Sequence, residues 1–317
     1  MSHRHPNILV SICCITYNHA QFIKKALDGF LMQQPPSCVL KSAEMSEWCE
    51  ILIHDDASTD GTDDIVREYA AKYPDKIFPL YEEVNQYTHG GAGKMDLYNY
   101  NRARGKYIAY CEGDDYWTDP NKLQKQVDFM ETHPDYSVCW HRCIQRIVQT
   151  NQMYDDECGK ILPNDADGMD LNLDTYFAGW YTQPLTMLFR NGAFDFQWRG
   201  RYKCYRDMHE MYHLLKAGKG YLFAFIGGVR NVHEGGIASM ISIQKQYIVS
   251  YNIARELYTI NKDAYSKAFY VQTLQWLVQD DKNLSLLQKI SYIHQLLWLS
   301  GNLKRYAINL RNFFRKI

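Results

Sequence analysis

A chain of 317 residues with 46% hydrophobic and 22% charged side chains has the make-up of one large globular domain, or one domain with an appendage. That excludes long disorder, a collagen-like repeat and an extended coiled coil. Its 35 basic and 36 acidic residues leave a net charge of −1, which disfavours a dedicated duplex-DNA binder.

Residues 8–16 are apolar and β-branched and predict a buried strand. Residues 20–32 carry Phe22, Ile23, Ala26, Leu27, Phe30 and Leu31 at helical spacing. A second strand, 50–54, runs into the acidic turn Asp55-Asp56-Ala57-Ser58-Thr59-Asp60-Gly61-Thr62, and a helix follows to about residue 73. Next come a third strand at 77–81, a turn with Gly90, Gly91 and Gly93, and a helix. A fourth strand, 106–111, ends at Glu112-Gly113-Asp114-Asp115, and is followed by a helix over 120–132 and a strand over 137–146. Strands alternating with helices predict an α/β fold, a mostly parallel sheet covered on both faces, with ligands beyond the carboxyl ends of its strands. Residues 151–200 are irregular and suit a binding region; Trp140, Trp180, Tyr181 and Trp198 suit stacking on sugar faces, with more than half of them expected in the core or at an interface. A helix over 205–217 and a strand over 221–226 precede four helices at 241–259, 264–278, 285–299 and 303–317.

Nine cysteines, odd in number and without a C-x-x-C pair, argue against a disulfide framework and for a reducing compartment. Cys139, His141 and Cys143 come nearest to a metal cluster, but their alternation reads as strand core. Residues 1–7 are polar and carry no apolar leader. The longest uncharged apolar-rich runs, 221–229 and 290–303, fall short of the ~18 residues a spanning helix needs. The expected location is therefore the cytoplasm.

Two acidic strand ends carry the chemistry. Asp56-x-Ser58-x-Asp60-Gly61 imitates a calcium loop, but Arg67 stands at the twelfth position where a bidentate Glu is required. Ser58 or Asp60 reads as the cap of the next helix. In the second cluster three carboxylates in four residues repel one another unless a cation or donors offset them. Hard oxygen ligands suit Mg²⁺ or Mn²⁺ bridging a carboxylate to substrate phosphates, and Gly113 lets the backbone approach a ligand. Gly90-Gly91-Ala92-Gly93-Lys94 is not a P-loop, since Met95 stands where Ser or Thr is needed; Lys94 reads as a phosphate contact on a flexible loop.

Four ordered motifs resemble the GT-A glycosyltransferases of family 2. They are Val10-Ser11-Ile12-Cys13-Cys14-Ile15-Thr16-Tyr17-Asn18, the turn from Asp55 to Thr62, Ala103-Arg104-Gly105-Lys106-Tyr107-Ile108-Ala109, and Glu112-Gly113-Asp114-Asp115-Tyr116-Trp117. The resemblance implies a Rossmann-like catalytic domain over 1–238, with a nucleotide-binding half (1–118) and an acceptor half (119–238), and a helical appendage over 239–317. It implies that Thr16, Tyr17, Asn18, Asp55 and Asp56 hold the base and ribose of a nucleotide-diphosphate sugar, with UDP the expected nucleotide. The family's D-x-D motif supports the ribose and binds the metal; here Glu112 replaces its first Asp, and Asp114 and Asp115 are the implied ligands of Mn²⁺ or Mg²⁺. A general base at the start of a helix beyond the acceptor region is implied at Asp207, with Glu210 its rival on the same helix face. The segment Arg230-Asn231-Val232-His233-Glu234-Gly235-Gly236 resembles one that folds over the donor, where His233 meets the metal or diphosphate and Arg230 balances phosphate charge. The implied reaction is inverting transfer of a sugar to a hydroxyl of a saccharide or lipid-linked saccharide in surface polysaccharide synthesis. A sugar nucleotidyltransferase and a non-catalytic saccharide- or nucleotide-binding module are the alternatives.

From 282 to 317 there are seven Lys or Arg and no Asp or Glu. Tyr306, Leu310, Phe313 and Ile317 share one face of the last predicted helix, with Lys304, Arg305, Arg311 and Arg315 or Lys316 on its other sides. Such a helix suits an anionic membrane surface at the inner face of the cytoplasmic membrane, or packing on its own domain or on a second subunit.

Overall fold

Four apolar runs of the N-terminal half become strands: β1 (Val10–Thr16), β2 (Cys49–Asp55), β3 (Ile77–Tyr81) and β4 (Tyr107–Tyr110). They form a parallel block in the order β3-β2-β1-β4. β1 and β2 lie in its middle and are buried on both faces, which is why their sequences run apolar instead of alternating. The computed structural model describes residues 8–91, 97–177, 182–193, 195–203, 205–235, 243–280 and 284–300.

The sheet continues through β5 (Tyr116–Trp117), β6 (Tyr136–Ile147), β7 (Gln152–Asp155), β8 (Gly168–Leu171), β9 (Leu188–Arg190) and β10 (Lys219–Val232). Its order beyond β4 is β9-β6-β10-β5, with β7 on β6 and β8 on β10. The long ladders, β1 on its neighbours and β6 on β10, are parallel, and the short strands join antiparallel. The expected α/β architecture, a mostly parallel sheet flanked by helices with a C-terminal helical block, is thus the one observed. The helices are α1 (Ile23–Leu31), α2 (Met45–Trp48), α3 (Thr62–Lys72), α4 (Leu97–Tyr100), α5 (Lys122–Thr132), α6 (Leu173–Phe177) and α7 (Asp207–Ala217).

The chain divides into two compact units, Met1–Arg199 with Glu210–His233, and Gly200–His209 with Glu234–Ile317. In the second, α8 (Ile243–Asn261), α9 (Ala264–Asp280) and α10 (Leu286–Ser300) pack in succession. Leu257, Phe269, Leu274, Leu277 and Ile293 are buried there, and the hydroxyls of Tyr251 and Tyr270 both donate to Gln295 Oε1. The basic helix expected over 303–317 lies outside the described residues. No helix among the described residues is long and apolar enough to cross a membrane.

Polar side chains, not apolar packing, shape the edge where the strands end. Beyond Thr16 the backbone of Asn18 takes a left-handed φ of 55°. Its side-chain Oδ1 accepts from Thr59 N–H (2.8 Å) and its own N–H donates to Ser58 Oγ (2.9 Å). His19 N–H donates to Thr62 Oγ1 (2.8 Å) and Ala20 N–H to Asp60 Oδ2 (3.0 Å). These bonds engage the amides of Asn18, His19 and Ala20, so α1 begins at Ile23 and not at residue 20. Asp60 also accepts from Thr62 N–H and Oγ1. Burial opposes its ionisation, but those bonds outweigh it and hold the carboxyl below the usual range. Gly61, at φ 92°, holds the N-cap position of α3, and not Ser58 or Asp60; Ser58 ties the turn to the β1–α1 loop, and Asp60 does so while also accepting the N–H of Thr62 at the helix start.

The Ala103-Arg104-Gly105 motif is structural. Glu50 is fully buried and accepts from Ser11 Oγ, Arg104 N–H and the Arg104 guanidinium, while Gly105 N–H donates to Ser11 Oγ. The described cysteines are free and, apart from Cys38, buried.

Lys122, at the start of α5, is fully buried. Its Nζ stands 3.7 Å from the centre of the Trp117 ring and has no hydrogen-bond partner among the described residues. Burial pushes its amine from the ordinary 10.5 down to about 7.

Two stability predictions follow from these contacts. An unfolded Lys122 holds its proton to higher pH than the folded one, so folding becomes more favourable as pH rises from about 7 to 10.5. Lys122→Met should flatten that dependence and raise stability by about 1 kcal/mol or more below the folded value, read from urea midpoints against pH. Asn18→Ala should lose about 2 kcal/mol, from the Thr59 bond and the left-handed backbone, whereas Asn18→Gly should lose about half as much.

Candidate active site

The site is built from the carboxyl ends of β1, β2 and β4 and the end of β10. Thr16 pairs in register with Asp55, and Asp56 N–H donates to Thr16 O (3.0 Å). Both aspartates are buried and their carboxylates turn inward. Asp55 accepts from Ser58 N–H (3.0 Å) and Oγ (2.6 Å), and burial nonetheless raises its pKa. Asp56 accepts from the backbone N–H groups of Gln86 (2.6 Å) and Tyr87 (3.1 Å), clamping the segment that follows β3. Of the expected base and ribose contacts, Thr16 is buried, while Tyr17 is 43% exposed and Asn18 is exposed.

β4 delivers the second acidic cluster beside Thr16. Gly113 N–H donates to Ile15 O (2.9 Å), and a Cβ on Gly113 would stand 2.7 Å from Thr16 Oγ1 and 3.0 Å from Ile23 Cδ1. Glycine is required here because Thr16 of β1 and Ile23 of α1 fill the space a Cβ would take. Carboxylate oxygens of Glu112, Asp114 and Asp115 lie within 4.8 Å of one another.

The end of β10 answers this charge. His233 Nε2 is 3.0 Å from Asp114 Oδ2; Asn231 N–H donates to Asp115 Oδ1 (2.8 Å) and its side-chain amide to Asp114 O (2.5 Å). Burial opposes ionisation of Asp114, yet the His233 bond and the His19 and His233 rings outweigh it and hold its carboxyl below the usual range. Burial, then the charges of Asp114 and Glu112, push Asp115 well above it, while Arg230 acts weakly the other way. Neighbouring carboxylates driven apart in this manner share one site. Asp114 Oδ1 is buried without a hydrogen-bond partner among the described residues. An orphaned carboxylate oxygen among three hard oxygen donors fits a divalent cation.

Two residues escaped the sequence reading. Asn231 lies between Arg230 and His233 and ties the two acidic residues to β10. His19 directly follows the Thr16-Tyr17-Asn18 motif; its Nδ1 is 3.2 Å from Thr16 Oγ1 and its Nε2 3.8 Å from Asp114 Oδ2. Burial lowers its pKa below the ordinary imidazole value, against the pull of Asp114.

Asp207 is the first residue of α7, where its Oδ1 accepts Met208 N–H; it belongs to the second unit. Glu210 lies in the first unit, buried and ion-paired with buried Arg199 at 3.1 Å. Lys94, Trp180 and Tyr181 lie outside the described residues. Trp140 is core, stacked on Tyr176, and Trp198 packs against His213.

The solved structure of S. aureus TarS 1-349 in complex with UDP-GlcNAc has the same fold, with a TM-score of 0.64 and 17% identity over 92% of this chain and 81% of that one. The uncharacterized protein Rv1520 of Mycobacterium tuberculosis is 38% identical over 181 residues, 57% of this chain and 46% of that protein. The UDP-Glc:alpha-D-GlcNAc-diphosphoundecaprenol beta-1,3-glucosyltransferase WfaP of Escherichia coli is 34% identical over 124 residues, 39% of this chain and 42% of that enzyme. The chain spans under half the length of either relative. The family model described as Glycosyl transferase family 2 matches residues 11–203, well over half of this sequence, and takes in β1, β2, β4 and the acidic cluster. The chain belongs to glycosyl transferase family 2 and has the GT-A fold.

Proposed function

We propose that this protein is an inverting, metal-dependent glycosyltransferase. It moves a sugar from a UDP-linked donor to a hydroxyl of a saccharide or lipid-linked saccharide acceptor, in the synthesis of a surface polysaccharide. The observation that carries the reading is the convergence of Asp114 and His233 beside the Thr16 end of β1, in a chain of family 2. The name of WfaP, with its UDP-linked donor and diphosphoundecaprenol-linked acceptor, supports this choice of substrates.

Thr16, Tyr17 and Asn18 line the place for the base, and the exposed ring of Tyr17 is available for stacking. Asp55 and Asp56 hold its rim through their bonds to Ser58 and to the backbone at 86–87. Glu112 and Gly113 border the ribose, and Lys94 and Arg230 balance the donor phosphates. A divalent cation, Mn²⁺ or Mg²⁺, held by Asp114, Asp115 and His233 with Glu112 beside them, would offset charge on the leaving diphosphate. Asp207 takes the proton of the acceptor hydroxyl as that oxygen attacks the anomeric carbon, and the nucleoside diphosphate leaves from the opposite side. The engagement of Glu210 with Arg199 favours Asp207 as the base. A nucleotidyltransferase would form diphosphate instead of releasing UDP.

The basic stretch 282–317, with Leu287 and Trp298 exposed on α10, supports contact with the anionic inner face of the cytoplasmic membrane, where a lipid-linked acceptor would lie.

Turnover, UDP affinity and vesicle flotation test these readings. A coupled assay for released UDP over a panel of nucleotide sugars with Mn²⁺ should find one donor turned over. Asp207→Asn should then cut turnover by about 10²–10⁴-fold while UDP affinity stays the same; unchanged turnover removes Asp207 from the role. Replacing Lys304, Arg305, Arg311, Arg315 and Lys316 by glutamine should reduce flotation with anionic vesicles, and equal flotation would remove the membrane contact.

A further inference from the structure

The first turn of α7 is closed by a histidine. Arg206 N–H, on the residue before Asp207, donates to His209 Nδ1 (3.1 Å), and His209 N–H donates to Arg206 O (2.9 Å). A backbone amide can only donate, so Nδ1 is the acceptor and the proton of the neutral ring sits on Nε2. The bond is the half of a capping box that Glu or Gln supplies at the third helical position, made here by an imidazole. The ring itself is held from α8. Its Nε2 faces Glu256 Oε2 at 3.6 Å, and the other oxygen of Glu256 accepts Lys203 N–H (2.6 Å). Asn261, also on α8, donates from its side-chain amide to the Tyr202 hydroxyl (3.0 Å). The His209 ring is fully buried against the rings of Tyr202 and Tyr205, at 4.4 and 5.3 Å between centres. Burial lowers its pKa below the ordinary imidazole value, against the pull of Glu256, which keeps Nδ1 free to accept. All of these residues belong to the second unit, so α8 shapes the stretch that leads into Asp207.

We propose that His209 is a positioning residue for Asp207: by accepting Arg206 N–H it fixes the backbone that presents the Asp207 carboxylate, while Glu256 of the helical appendage holds its ring. The proposal rests on the reading of Asp207 as the general base. Loss of the acceptor at Nδ1 releases the Arg206 amide, and the backbone at 206–207 moves with it. A displacement of about 1 Å at a reacting group can cost about 10²-fold in rate. The appendage thereby acts on the chemistry through the start of α7, without touching substrate.

The test uses the full-length protein. His209→Phe and His209→Leu remove the acceptor, the first keeping a ring against Tyr202 and Tyr205; His209→Gln supplies the acceptor usual at this helix position. Thermal melts identify the folded variants. The Arg206 amide should exchange its hydrogen faster in the acceptor-free variants and keep wild-type protection in His209→Gln. With the nucleotide sugar that the UDP-release assay selects, the acceptor-free variants should lower kcat about 10-fold or more at unchanged KM and UDP affinity. His209→Gln should recover most of that loss. In an Asp207→Asn background the acceptor-free substitutions should cost nothing further, since their effect passes through that carboxylate. A folded acceptor-free variant with wild-type kcat, or one whose loss persists in the Asp207→Asn background, makes His209 a packing residue and overturns the proposal. Wild-type turnover by Asp207→Asn instead overturns the base reading itself.

Discussion

Four residues at the end of β4 carry three carboxylates, and the surrounding structure is arranged to keep them together. In water they would spread apart; here Gly113 binds β1, Asn231 binds Asp114 and Asp115, and His233 binds Asp114. These partners come from the first and last strands of the unit, separated from the cluster by about a hundred residues on either side. The parallel pairing of β1 with β4 and the antiparallel pairing of β10 with β5, directly after the cluster, bring them together, so the cluster depends on both ladders. A local loop could place one acid in a cleft, but offsetting the burial of two adjacent ones takes long-range donors, His233 on Asp114 and Asn231 on Asp115.

The β1–α1 loop solves a related problem with polar means. It must leave a fully buried strand, reverse and start a helix without exposing unpaired amides in the interior. The turn from Asp55 to Thr62 supplies the acceptors: Ser58, Asp60 and Thr62 take the N–H groups of Asn18, Ala20 and His19. This accounts for the density of Asp, Ser and Thr in that turn without any ligand. It also gives the turn an indirect role, since the same bonds fix His19 opposite Asp114.

Much of the architecture was legible because β1 to β4 are apolar runs, β2 and β4 end in acidic turns, and α1 has clear helical spacing. β9 was not, because three residues within an irregular segment carry no period; the sheet, not their pattern, makes them a strand. The second half of β10 was missed because Gly227, Gly228, Arg230 and Asn231 look like a loop. The two glycines are small because a Cβ would strike the His141 ring at one and Leu185 and Tyr116 O at the other. In the site, Asp114 and His233 stood out by motif and the structure brings them within 3.0 Å. The inward turn of Asp55 and Asp56, and the reason for Gly113, depend on what lies across the sheet edge, which no local spacing encodes. His19 had only its adjacency to a recognised motif, and Asn231 looked like a departure from one.

The cluster is energetically costly. A buried carboxylate oxygen without a partner costs about 1–3 kcal/mol, and burying a second acid beside it costs more. An amide at 114 or 115 would relieve both terms while still accepting from Asn231 or His233. The pair therefore costs stability where it stands, at the meeting point of β1, β4 and β10 with histidines on two sides of one oxygen, and the divalent cation proposed above would offset that cost when bound.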